Sequence, residues 1–129
     1  MLLVFTALAC MSIDLMHKTA VPAELYHARS PFVAVFLGAL VVALMIVVPR
    51  LPSNAAALGG GIVCGGALGN LVSIFAWSQG VPDPLMIVTN THVLAFNLAD
   101  VFAVIGDALL LSAAIVYGLR QRARLRQAA

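Results

Sequence analysis

Two carboxylates in this 129-residue chain occupy positions from which they could do chemistry. Asp100 ends the stretch AFNLAD, at the threshold of a long apolar run, and Asp83 lies between two prolines in VPDPL. Carboxylates brought close together cannot both ionise cheaply, so such a pair shares a proton. One member then acts as base on a water molecule while the other donates to a substrate carbonyl, as in aspartic proteases. This chemistry needs no metal, cysteine or serine, in keeping with a chain that has no HExxH and no Ser-His pairing. No cofactor is expected.

The surrounding polar residues can be read in two ways. Asp14 and Lys18 are spaced i, i+4 with the acid first, the favourable order for a helical ion pair, and could support a site or simply stabilise a helix. Asn70 is an amide within an apolar run, where it needs partners and can orient a carboxylate. Asn97 could be a helix cap and Asp100 could complement a helix dipole. Asp83 could be a turn residue. His17, His27 and His92 could together hold zinc, but their spacing matches no metal motif, so no metal site is expected. Asp107 follows Asp100 by seven residues on the same helix face, roughly 10 Å deeper by helical rise.

The elements that must position these groups are set by composition. Hydrophobic residues make up 63% of the chain and charged residues 9%, with a mean hydropathy of +1.07. These values lie far from those of soluble domains and imply an integral membrane protein. Crossing roughly 30 Å of hydrocarbon takes about 20 helical residues. Four apolar runs meet that length, approximately 1–17, 31–49, 55–78 and 96–119, followed by a basic tail over 120–129. Strands would need alternating polarity and a closed barrel, so an all-α bundle of four transmembrane helices in a single domain is expected. The first run opens without a polar flank, so the true start could lie upstream. It lacks the positive segment of a secretory signal, and TALAC only approximates a lipoprotein cleavage site, so it is read as a retained span. Cys10 and Cys64 lie inside apolar runs, and no disulfide is expected.

Basic residues set the orientation. Arg50, Arg120, Arg122, Arg124 and Arg126 fall on one side of such a bundle, and Lys18 and Arg29 on the other. The positive-inside rule then places both termini in the cytoplasm. The arginine-rich tail reads as a topology anchor for anionic lipid, with no nucleic-acid partner. Asp14, Lys18, Asn70, Asp83, Asn97 and Asp100 all come to the outer side.

The motifs in this order resemble those of the lipoprotein signal peptidases, or signal peptidase II. DLMHK (Asp14 to Lys18) is similar to the DxxxK of their first span, GGALGN (Gly65 to Asn70) to their third-span motif, and FNLAD (Phe96 to Asp100) to their FNxAD. The resemblance implies a four-span aspartic endopeptidase of the bacterial cytoplasmic membrane. Such enzymes remove signal peptides from lipid-modified prolipoproteins at the outer face. It also implies catalytic roles for Asp100 and for Asp83, whose GVPDPL matches the family's GxVVDF, with Asp14, Lys18, Asn70 and Asn97 in support. Two segments depart from the pattern. Ser73 and Ile74 in NLVSI stand where the family has Asp and Arg, and the connection TAVPAELYHARS lacks the outer NxGxAF motif.

Three functional readings remain: a divergent peptidase working as a monomer on prolipoproteins among membrane lipids, a noncatalytic relative that binds lipidated peptides or lipid, and a small proton-coupled transporter. The transporter reading would use Asp107 and would prefer an acid near the midplane of the first span.

Overall fold

The computed structural model describes residues 1–28 and 30–128. Arg29, counted above among the outer basic residues, lies outside the described residues. Helix α1 spans Leu2–Ala20, α2 Pro31–Val47, α3 Asn54–Ala76 and α4 Leu98–Ala128. All four are long and apolar enough to cross a membrane, and the chain is mostly helical. The helix boundaries follow local chemistry. Pro31 opens α2, where its missing N–H costs nothing. Pro49 falls in a 3-10 turn, Val48–Arg50, that ends the same run. Ser53 caps α3 by accepting the backbone N–H of Ala56.

Helix α3 is central and packs against the other three. Lipid gives helices no hydrophobic reason to associate, so close contact depends on small residues. Gly61, Gly65 and Gly69 form one ridge along α3 that lies against α1. A Cβ at Gly61 would meet Leu3 O, and one at Gly65 would meet Ala7 O and Cys10 Cβ, all within 2.7 Å. Gly59 and Gly66 serve α4 in the same way, facing Gly106 and Leu110 and then Ala99. Leu3, Ala7, Leu44, Val48, Ala56, Val63 and Cys64 form the core near the opposite end from Asp100. Phe5, Phe32, Val35, Phe75 and Val104 are exposed and form part of the apolar outer surface.

The all-α expectation is corrected in one respect, since two short antiparallel sheets sit at one end of the bundle. Strand β1 (Leu25–His27) pairs with β2 (Val81–Asp83), placing Leu25 opposite Asp83 and His27 opposite Val81. Strands β3 (Leu85–Val88) and β4 (Val93–Phe96) form a hairpin. Its turn is closed by bonds between Thr89 and His92. Because β4 occupies Ala95 and Phe96, α4 begins at Leu98. Gly80 precedes β2 with φ of 127°, a backbone state that L side chains rarely adopt, and a Cβ there would collide with His27 O. Helix α4 continues through the arginine-rich segment without a break.

Candidate active site

The last turns of α1 and α3 meet the first turn of α4 around a buried ion pair. Lys18 Nζ donates to Asp14 Oδ2 at 2.7 Å, to Asn70 Oδ1 at 2.8 Å and to Ser73 Oγ at 3.2 Å. An ammonium has three donors, so all are matched. Ser73 in turn donates to Gly69 O at 2.7 Å. Both ionic side chains are fully buried. Asp14 Oδ1 accepts the backbone N–H of Ala99 at 3.0 Å, which ties α1 directly to the start of α4. Asn70, expected to orient a carboxylate, orients the lysine instead. Ser73, in the place of the family's aspartate, supplies a neutral acceptor for the same lysine.

The first turn of α4 is a reciprocal cap. Asn97 Oδ1 accepts from Asp100 N at 3.3 Å, and Asp100 Oδ2 accepts from Asn97 N at 3.0 Å. The capping readings of both residues therefore describe real contacts, but they do not exhaust what Asn97 does. Its Nδ2 donates to Asp83 Oδ1 at 2.8 Å, so Asn97 is bonded to both aspartates.

Asp83 is not a loose turn residue. It ends strand β2, is 2% exposed, and its Oδ2 lies 2.5 Å from Nδ1 of His27. Burial pushes its carboxyl above the ordinary carboxylate range, with the charge of Asp100 adding to the rise. The bond from Asn97, the charge of His27 and, more weakly, that of Lys18 pull in the other direction.

Two grooves meet at this point, and His27 and Asp100 line both. One, of about 430 Å³, runs between the β3–β4 hairpin and α4 along Ile87, Leu94, Phe96 and Val104. The other, of about 450 Å³, runs between α2 and α3 past Val33, Leu37, Asn70 and Ile74. Ser30 and Ile74 connect the second groove to an apolar recess lined by Pro31, Val35 and Phe75. Ile74, in the place of the family's arginine, is thus part of an apolar wall. A separate groove at the opposite end, bordered by Ser53, Tyr117 and Arg120, holds none of these groups.

Asp14, Lys18, Asn70, Asp83, Asn97 and Asp100 are all brought together at one end of the bundle. Among the described residues, no three histidine, cysteine or acidic side chains converge as metal ligands. Asp107 is exposed on the surface of α4, outside the cluster.

The family profile described as Signal peptidase (SPase) II matches residues 10–116, which include every residue of this cluster. The chain belongs to the signal peptidase II family. Among curated proteins, none matches it. Signal peptidase II enzymes are aspartic peptidases of lipoprotein processing, and the four apolar helices agree with a multi-pass membrane protein. Within the matched span, the sequence marked Ser73 only as a departure from the family pattern and His27 only as a possible zinc ligand, and pointed to neither as a partner of the site's charged groups. For Ser73 the signal was its place, three residues after Asn70 in the third-span motif. For His27 there was none, because its approach to Asp83 depends on strand register.

Proposed function

We propose that this signal peptidase II is an active aspartic endopeptidase that cleaves signal peptides from lipid-modified prolipoproteins at the outer leaflet of the bacterial cytoplasmic membrane. The observation that carries the reading is the double attachment of Asn97 to Asp83 and Asp100. Asp83 serves as base, since both of its oxygens have donors within hydrogen-bond reach, a pattern that suits the ionised form. Asp100 carries the shared proton. Water attacks the scissile carbonyl carbon and passes a proton to Asp83 while Asp100 protonates the carbonyl oxygen, giving a gem-diol. As the C–N bond breaks, Asp83 returns its proton to the leaving nitrogen and a gem-diol proton goes back to Asp100. Both carboxyls end as they began.

Asp14, Lys18 and Asn70 hold α1, α3 and α4 in register around the pair. The apolar grooves that meet at Asp100 suit a substrate that is part peptide and part acyl chain. The excess of arginine at the other end of the bundle supports an outward-facing site. Asp107 is exposed on α4, away from the buried cluster, which weighs against the transporter reading. The absence of the family's arginine at Ile74 favours a noncatalytic binder as the second reading.

The test is cleavage of a diacylglyceryl-modified prolipoprotein by the purified full chain, with folding checked by thermal melting. Asp83→Asn and Asp100→Asn should each lower the rate by about 10²–10⁴-fold, because asparagine keeps neutral hydrogen bonds but neither accepts nor supplies the catalytic proton. Full activity in Asp83→Asn would make that aspartate structural. Absence of cleavage by the unmutated chain would leave the binding relative as the better reading.

A further inference from the structure

His27 lies in the connection between α1 and α2, where the family's outer NxGxAF motif is missing. It belongs to none of the family motifs found in the chain. Its position is nonetheless fixed. Pairing of β1 with β2 brings His27 against the strand that ends in Asp83, and Gly80 permits the close backbone approach at His27 O. The imidazole Nδ1 sits 2.5 Å from Asp83 Oδ2, with the histidine side chain 63% exposed and the aspartate 2%.

We propose that His27 is a positioning residue of this peptidase, one that clamps the Asp83 carboxylate in its ionised form and thereby sets the lower pH limit of activity. The proposal rests on the aspartic peptidase reading given above. A carboxylate this buried is drawn toward protonation, and a protonated Asp83 cannot take a proton from water. Two groups oppose that tendency at contact distance: Asn97, which caps α4, on Oδ1, and His27 from β1 on Oδ2. Of these only His27 can carry positive charge. The other charged groups acting on Asp83 are Asp100 of α4, which works against ionisation, and Lys18 of α1, whose charge is already neutralised by Asp14. Among the groups acting on Asp83, His27 is thus the one in direct contact with the proposed base that can become cationic. It also borders both grooves, with its open side toward solvent.

The experiment uses the full chain in lipid nanodiscs with ¹³C-labelled aspartate carboxyls, the Asp83 signal being assigned through Asp83→Asn. In His27→Gln the Asp83 titration midpoint should move up by about one pH unit, the low end of the effect of a contacting charge. The acid limb of the pH–rate profile should rise with it, by about the same amount, while the rate at the optimum changes much less. Because the imidazole is mostly exposed, this variant should fold. An unchanged Asp83 midpoint would overturn the proposal, as would a pH–rate profile scaled in height without lateral shift. If the unmutated chain cleaves nothing, the peptidase reading fails on its own, and the carboxyl titration still decides whether His27 controls Asp83.

Discussion

Asn97 donates its side-chain amide to Asp83 from the cap position of α4, so the residue that starts the helix also holds a carboxylate from strand β2. The two ends of this one side chain have different duties, with the oxygen closing the helix cap and the nitrogen restraining Asp83. Removing it should therefore have two separable effects. Asn97→Ala should cost about 1 kcal/mol of stability through the lost cap. It should lower the cleavage rate less than either aspartate substitution, because both carboxyls remain. It also removes a donor to ionised Asp83. The acid limb of activity, which should already lie above the ordinary carboxylate value of about 3.9, should move higher still. The stability linkage has the opposite sense. A raised carboxyl contributes stability that is fully present below the unfolded value and is lost as pH rises through the folded value. Melting temperatures should thus fall across that range in the unmutated chain relative to Asp83→Asn.

Lys18→Met tests the supporting network. The substitution removes the donor shared by Asp14, Asn70 and Ser73 and leaves a buried acid without its counter-ion. Thermal unfolding should register a loss of about 3 kcal/mol. Cleavage should weaken only partly at temperatures where the protein remains folded, since the lysine supplies orientation and not the attacking water. Loss of turnover as complete as in Asp100→Asn would give Lys18 a direct chemical role.

Gly69→Ala should disrupt the same region by steric means. A Cβ there would overlap Asp14 Oδ2, the oxygen bonded to Lys18, so the carboxylate would have to shift away from Lys18 Nζ or push α1 away from α3. Both the melting temperature and the cleavage rate should drop. Gly118→Ala, on a stretch of α4 with nothing within 4 Å, should be neutral or stabilising by up to about 1 kcal/mol. A gain at Gly69 matching that at Gly118 would show that helix propensity, and not contact with Asp14, governs Gly69.

Orientation can be read with reporters. A fusion after Arg126 should report the cytoplasm and an insertion near Gln79 the exterior. The reverse result would turn the site inward and remove lipoproteins of the outer leaflet as substrates.

Much of this arrangement was legible before any coordinates. Continuous apolar runs of spanning length imply helices almost without regard to detail, because lipid leaves the backbone few alternatives. FNLAD could be recognised because a cap is local, its partners lying three residues apart. The strands could not. β1 and β2 are three residues each, Pro82 and Pro84 interrupt any alternation, and their register joins segments that two intervening spans separate in sequence. His27 and the partners of Asp83 were hidden for that reason. Asn70 was recognised as a residue needing a partner, but whether that partner was a carboxylate or an ammonium depends on the rotation of α3 against α1. Pattern alone does not fix that rotation, and the glycine ridge does so only through contacts with particular turns of α1.

The buried pair on α1 bears on how the protein is made. Asp14 and Lys18 are synthesised well before their partners, since Asn70 and Ser73 lie more than fifty positions later in the chain and Ala99 is 85 positions beyond Asp14. At roughly 5–20 residues per second, the ribosome needs several seconds to deliver those partners. During that interval the first helix carries an ion pair with unmet hydrogen-bonding capacity, which is poorly suited to free diffusion in lipid. It is therefore best held beside the insertion machinery, or near the headgroups where water can serve, until α4 arrives. Release into the bilayer thus becomes a late event in the nascent chain's assembly, and variants that break the pair should be more exposed to membrane quality control during synthesis.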